Sequence, residues 1–310
     1  MKLGFITSIL ESLSFEEMID FAAAHGFKCA EVACWPKGKA ERRYAGVTHI
    51  DVEHMDDAAA EHIKSYCEKK GVAISSLAYY PNTLEKDPER RSEIIAHLKK
   101  VIEAAKQLDV NMVTTFIGRQ QDKTVEENLE IVKEVWPPIL EFAAERGVKI
   151  AIENCPMLFG TDQWPGGQNL FTSPENWKKI FAVLSYDNLG INYDPSHFVW
   201  QLMDYIQPIY DFKYKIYHEH IKDIKLYPDK LKACGSMAYP LDYMAPKIPG
   251  HGDVDWGRYI SALRDIGYDG PVCLEIEDRS FETNQNAIFT SILQGKQYIE
   301  SYMKDFSDVL

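Results

Sequence analysis

The sequence reads as an α/β protein built as a (β/α)8 TIM barrel. Three observations predict that fold class. Eight short runs rich in β-branched and apolar residues alternate with eight longer amphipathic stretches. Four of the helical stretches end on a glycine that a strand-like run follows at once, at Gly26, Gly71, Gly147 and Gly267, the place of a helix C-terminal cap. The competing architecture, an open doubly wound sheet, carries a GxGxxG turn after its first strand, and none stands there in this sequence.

The elements follow in order. Residues 3–6 give the first strand and 15–25 the first helix, closed by Gly26. Residues 29–33 give the second strand, with Cys29 a small core residue; a long loop over 34–56 separates it from the helix at 58–70, closed by Gly71. The third strand, 72–78, leads to a helix at 88–108, where Ile94, Leu98, Val101, Ile102 and Ala105 fall at helical spacing and mark the buried face. Strand 112–116 and helix 125–146, closed by Gly147, make the fourth unit. Strand 148–153, a loop over 154–172 rich in glycine and aromatics, and helix 174–184 make the fifth. Strand 189–194 and helix 199–212 make the sixth; strand 215–221, a loop over 227–253 and helix 256–266, closed by Gly267, the seventh. Strand 272–276, with Cys273 a second small core residue, and helix 284–304 complete the eighth.

A chain of 310 residues has the length of about two average domains. Eight βα units and three long loops account for all of it, so one barrel domain over 1–310 is expected. The loops follow the second, fifth and seventh strands, on the face where barrel active sites are built. Those at 34–56 and 227–253 are also the candidate contacts of a homo-oligomer. With 34 basic and 47 acidic residues the net charge is −13, which argues against a nucleic-acid partner, since phosphate-backbone affinity rests on clustered cations. No apolar run approaches the roughly 18 residues of a membrane span, and the apolar start at residues 1–6 is too short for a secretory signal. Six scattered cysteines without a CxxC pair read as reduced thiols. A cytoplasmic protein without a membrane partner is expected.

The chemistry gathers at four strand ends. The fifth strand closes on Glu153, the sixth on Asp194, the seventh on His220 and the eighth on Glu275. Strand side chains alternate in facing with period two. Ala151 and Glu153 therefore share a face, as do Asn192 and Asp194, His218 and His220, and Cys273 and Glu275. Turned inward at the C-terminal rim, Glu153, Asp194, His220 and Glu275 converge from neighbouring strands. One carboxylate at a strand end is ordinarily a solvated residue or a helix cap; four polar residues at corresponding ends weaken that reading. Three carboxylates and one imidazole form a hard, oxygen-rich donor set that suits one divalent metal ion, Mn²⁺, Mg²⁺ or Co²⁺, with Zn²⁺ also accommodated.

The pattern Glu153, Asp194-Pro195-Ser196-His197, His218-Glu219-His220-Ile221-Lys222-Asp223 and Glu275 resembles that of the xylose isomerase-like TIM barrels. That superfamily holds ketose 3-epimerases, hydroxypyruvate isomerases, inosose dehydratases and the apurinic endonucleases related to endonuclease IV. The resemblance runs from the first strand to the last helix and is closest to the ketose 3-epimerases. It implies that Glu153, Asp194, His220 and Glu275 bind one divalent metal, that Glu153 and Glu275 exchange protons with the substrate, and that His197 binds substrate. Elementary chemistry agrees: a metal on adjacent substrate oxygens stabilises an enediolate, and two flanking carboxylates take and return the proton. The implied activity is isomerisation or epimerisation of a small sugar-like polyhydroxy carbonyl compound. A lyase of the inosose dehydratase type is the alternative, because both reactions begin with the same proton abstraction. The endonucleases use further histidines on the third and fourth strands, whose ends here read Ala78-Tyr79-Tyr80 and Thr114-Thr115-Phe116-Ile117; a phosphodiesterase is disfavoured.

Other residues are expected around the substrate. The epimerases place an Arg six residues after the metal-binding His; that position is Leu226, and Lys222 or Lys225 offers a polar contact instead. The segment Gly250-His251-Gly252-Asp253-Val254-Asp255-Trp256 resembles the family's turn before the seventh helix; its glycines allow a tight turn, Asp255 starts the helix, and His251 is expected to lean over the site. Trp35, Tyr79, Tyr80, Phe116, Trp164 and Trp200 fall at rim positions. Trp35 and Phe116 are read as sugar-stacking walls, although each such ring also serves as ordinary packing. His218, one strand period below His220, reads as a supporting partner or a polar core group. Glu31 points either into the barrel or into a structural contact, and Glu277 shares the inward parity but lies beyond the strand end.

Overall fold

The computed structural model describes residues 1–38, 44–157 and 166–304. Along β1 (Lys2–Ile6), Leu3 and Phe5 pack under the surrounding helices. On the other side, Ile6 meets Cys29 and Cys273 inside the barrel. The same two-sided burial recurs on β2 (Cys29–Ala33), β3 (Ala73–Ala78), β4 (Met112–Thr115), β5 (Lys149–Glu153), β6 (Leu189–Tyr193), β7 (Ile216–Ile221) and β10 (Pro271–Leu274). A sheet with no solvent face must be covered and closed. These strands close into a barrel in the order β1-β10-β7-β6-β5-β4-β3-β2, and every adjacent pair runs parallel. The (β/α)8 architecture is thus present, and the four proposed metal-binding residues fall on the contiguous arc β10-β7-β6-β5.

The helices stop where glycine lets them. Gly26, Gly71, Gly147 and Gly267 all have φ between 68° and 73°, the left-handed region that closes a helix without a Cβ penalty. Where the sequence suggested one helix over 125–146, the structure has two, α4 (Val125–Val135) and α5 (Pro137–Ala144). The break falls at Trp136, because Pro137 and Pro138 bring no amide hydrogens to continue the ladder. The expected helix at 199–212 is likewise divided into α7 (Ser196–Trp200) and α8 (Gln207–Asp211), with Leu202 at φ 59° between them.

The excursion at 227–253 is built rather than loose. It is entered through β8 (Asp223–Leu226), which pairs antiparallel with β9 (Met244–Lys247), and it carries α9 (Pro228–Cys234) between them. The loop over 154–172 is described at both ends; Trp164 lies outside the described residues. No helix among the described residues is long and apolar enough to cross a membrane.

Candidate functional site

Asp194, Glu275 and His220 each have one side-chain atom committed to the protein and one without a hydrogen-bond partner, while Glu153 is held through its backbone. Asp194 follows β6 directly. Its backbone N–H donates to Asn154 Oδ1 (2.7 Å) and its carbonyl accepts from Asn154 Nδ2 (2.8 Å). Its Oδ1 accepts from Ser196 N at 2.8 Å, which leaves Oδ2. Glu275 follows β10; Lys222 Nζ holds its Oε1 at 3.0 Å, which leaves Oε2. His220 has Nε2 at 2.9 Å from Glu31 Oε2, which leaves Nδ1. Glu153 ends β5 with Oε1 free, its carbonyl held by Asn169 Nδ2 at 2.9 Å.

The four free atoms Glu153 Oε1, Asp194 Oδ2, His220 Nδ1 and Glu275 Oε2 are buried and lack a hydrogen-bond partner. Ligand atoms from these four residues lie within 4.8 Å of one another; His220 Nδ1 is 3.3 Å from the Glu153 oxygen and 3.1 Å from the Glu275 oxygen. Buried polar atoms are ordinarily paired, and three carboxylates gathered within one cluster need a counter-charge. Three oxygens and one nitrogen converging on one point fit a divalent cation.

The electrostatics describe the same strained cluster. Burial opposes ionisation of Glu153, but His220 and His197 overcome it and hold its carboxyl well below the usual carboxylate range. Burial pushes Glu275 up; Lys222 pulls it down and Glu153 adds to the rise. His220 is raised well above an ordinary histidine against the effect of burial, by Glu31 and Glu153. Burial, with the neighbouring His220, brings His218 down to about 4 despite Glu31.

His197 lies beside this cluster with Nε2 3.1 Å from Asp194 Oδ2 and 3.6 Å from Glu153 Oε1. Trp200 Nε1 donates to its Nδ1 at 3.4 Å. An indole N–H only donates, so Nδ1 is the acceptor and the His197 proton sits on Nε2. A protonated ring nitrogen has no lone pair for a cation. The grouping of Glu153, Cys155 and His197, whose ligand atoms also lie close together, is on this ground a poorer cation site than the first.

A cavity of about 290 Å³ opens above the cluster. Glu153, His197, His220, Lys222 and Glu275 reach it, and Trp35 and Phe116 stand in its walls with Tyr80, Trp200 and Met244. Lys222 is buried and paired with Glu275 (3.0 Å) and Glu277 (2.6 Å), whereas Lys225 is exposed. His251 is a correction: it is exposed and lines a separate surface depression with Pro249 and Tyr298. The amides of Gly250 and Gly252 on either side both bond Asp223 Oδ2, at 2.9 and 3.2 Å, and this turn carries the intervening side chain away from the cavity.

Cys155, Glu277 and Arg279 are among the lining residues that sequence reasoning did not assign to the site, and Tyr80, placed at the rim from sequence, joins them. The inward parity of Glu277 was the available signal. Glu31 is resolved into the barrel interior, fully buried, and its Oε1 accepts from Thr114 Oγ1 at 2.9 Å and from the Tyr80 hydroxyl. His218 lies beneath His220, with Nδ1 3.0 Å from Asn192 Oδ1 and Nε2 3.1 Å from Ser75 Oγ.

Residues 19–298 match the profile of the family described as xylose isomerase-like TIM barrel. The chain is 24% identical to an inosose isomerase of Bacillus licheniformis over 74% of this chain and 80% of that protein. It is 25% identical to the uncharacterized protein YfiH of Bacillus subtilis over 96% of this chain and 99% of that one. Among solved structures it resembles D-psicose 3-epimerase with D-tagatose from Clostridium cellulolyticum, with a TM-score of 0.72 at 16% identity, covering 98% of this chain and 100% of that one. It also resembles the IOLI protein with a binding zinc atom, with a TM-score of 0.71 at 20% identity, covering 97% and 99%. At these identities the structural likeness speaks for the fold.

Proposed function

Since the chain belongs to the xylose isomerase-like TIM barrel family, we propose that it is a divalent-metal-dependent isomerase or epimerase of a sugar or related polyhydroxy carbonyl compound. The observation that carries this reading is the set of four buried atoms without hydrogen-bond partners, on Glu153, Asp194, His220 and Glu275, gathered within 4.8 Å of one another at a cavity that Glu153, His220 and Glu275 line. Similar proteins named inosose isomerase and D-psicose 3-epimerase support the substrate class, and the binding zinc atom of the IOLI protein supports a bound metal.

Glu153, Asp194, His220 and Glu275 hold the metal, and the oxygen-rich set favours Mn²⁺, Mg²⁺ or Co²⁺, with Zn²⁺ accommodated. When bound, it supplies Lewis-acid polarisation of a substrate carbonyl oxygen. Glu153 and Glu275 stand on different strands around the point of convergence. One takes the proton from the carbon beside the carbonyl and the other returns a proton to the substrate. Asp194 has only a holding role, braced by Asn154 and Ser196. His197 presents an N–H to a substrate hydroxyl. Lys222 keeps Glu275 in place through its Oε1, and Trp35 and Phe116 offer ring faces to the sugar.

The test is a panel of ketoses, aldoses and inososes in D2O, followed by proton NMR. Deuterium is expected to enter at the carbon beside the carbonyl with the molecular formula otherwise kept; a vinylic product with loss of water would instead mark a lyase. Glu153→Gln and Glu275→Gln are each expected to lower turnover by about 10²- to 10⁴-fold, and chelation to abolish it. Turnover that survives both substitution and chelation overturns the reading.

A further inference from the structure

Below the proposed metal site, the barrel interior holds a closed chain of hydrogen bonds whose donors can be assigned one after another. His218 Nδ1 lies 3.0 Å from Asn192 Oδ1, which only accepts, so His218 carries its proton on Nδ1 and Ser75 Oγ donates to its Nε2 at 3.1 Å. His218 therefore has no proton to offer Glu31, although its Nε2 is 3.5 Å from Glu31 Oε2. Asn192 Nδ2 donates to the Tyr80 hydroxyl oxygen at 3.0 Å. Tyr80 in turn donates to Glu31 Oε1, as does Thr114 Oγ1 at 2.9 Å. Glu31 Oε2 then has one donor left within reach, His220 Nε2 at 2.9 Å.

Nε2 of His220 nevertheless has a choice. Asn192 Nδ2 also stands 2.8 Å from it. If His220 accepts from Asn192, its proton moves to Nδ1, where it faces Glu153 and Glu275 and blocks a cation. If His220 donates to Glu31, Nδ1 is the nitrogen whose proton a cation displaces, and its lone pair then faces the cluster. Glu31 is fully buried, and a buried carboxylate without its last donor is costly; that asymmetry favours the second arrangement.

We propose that Glu31 is a positioning residue of the metal site: locked by Tyr80 and Thr114, it keeps the His220 proton on Nε2 and turns the Nδ1 lone pair toward the cation. This rests on the metal reading given under the proposed function. The backbone supports it. The β2–β3 register shifts between Ala30 and Glu31, and both Ser75 and Ser76 find partners inside the barrel, His218 and Thr114 respectively. Ser75 thereby occupies His218 and leaves Glu31 to His220.

The test compares the full-length wild type with Glu31→Gln and Tyr80→Phe in Mn²⁺ and Co²⁺ binding, by chelator competition and by the visible spectrum of the Co²⁺ form. The thermal melt of the cation-free protein serves as the folding control. Loss of such a supporting contact weakens metal binding by about 10- to 100-fold, and that loss is expected for Glu31→Gln, with an altered Co²⁺ spectrum and a retained melt. Tyr80→Phe is expected to lose about 5-fold, one hydrogen bond's worth, and it carries the test if Glu31→Gln does not fold. A folded Glu31→Gln, or failing that Tyr80→Phe, that binds Mn²⁺ with wild-type affinity and gives the wild-type Co²⁺ spectrum overturns the role of Glu31 alone. A wild type that binds neither ion overturns the metal reading itself, and the role of Glu31 with it.

Discussion

Trp200 decides what His197 can do. Its indole N–H on Nδ1 puts the His197 proton on Nε2, so this histidine is a donor beside the cluster, and His220 is the histidine proposed as a ligand. Trp200→Phe keeps an aromatic ring and removes the donor. The expected result is a fall of about fivefold in kcat/KM, the worth of one hydrogen bond, with metal affinity measured by chelator competition unchanged. A parallel loss of metal affinity would make His197 a ligand. Residues of this kind are unevenly legible in sequence. Period-two alternation brought Glu153, Asp194, His220 and Glu275 to one face, and the structure gathers them. Glu31 stayed ambiguous because its partner is 189 positions away, across the barrel, and no local pattern encodes that contact. His251 was misplaced because its direction depends on which acceptor the flanking glycine amides find.

At the scale of elements, Asp223 fastens the β8–β9 hairpin beside the cavity. Its Oδ1 accepts from Ile224 N and Val254 N, and its Oδ2 from Gly250 N, Gly252 N and Trp256 Nε1. So many bonds leave the carboxylate nowhere to move. A Cβ on Gly252 would lie 2.1 Å from Asp223 Oδ1 and 2.5 Å from the Ile224 carbonyl oxygen. Gly252→Ala is therefore expected to destabilise the protein by about 1–3 kcal/mol, read as a lower midpoint in a chemical-denaturant melt; an unchanged midpoint would mean that the turn yields more easily than this network allows. The turn itself was visible in the sequence as glycines before an Asp that caps a helix, and Asp255 does accept from Arg258 N at 3.0 Å. What fastens the turn was not visible, since Asp223 begins β8, 27 positions before Gly250. The eight barrel strands were legible for the converse reason: each is a short local run buried on both faces. The helix over-extended across Trp136 shows the limit, where apolar periodicity outlasted the backbone's supply of amide hydrogens.

For the whole molecule, the proposed cation would join four neighbouring strands whose ligands are far apart in the unfolded chain. Glu153, Asp194, His220 and Glu275 come together only when β5, β6, β7 and β10 are in register. A ligand that binds the folded state alone stabilises it, by about 2.7 kcal/mol at a hundredfold excess over Kd. Unfolding entropy near 2.1 cal/mol/K per residue gives about 0.65 kcal/mol/K for a chain of 310 residues. Saturation with Mn²⁺ at that excess should therefore raise Tm by about 4 °C, and chelator should reverse the rise. The size of the shift depends on the ligands being shared across strands, not on the net charge of −13, which any divalent ion would screen. Asp194→Asn separates the two explanations, because it removes one bound charge while leaving a hydrogen-bond acceptor for Ser196. A Tm rise that persists in Asp194→Asn at the same Mn²⁺ concentration would place the ion on the acidic surface; a rise lost in this variant and kept in the wild type at high ionic strength would place it where the four strands meet.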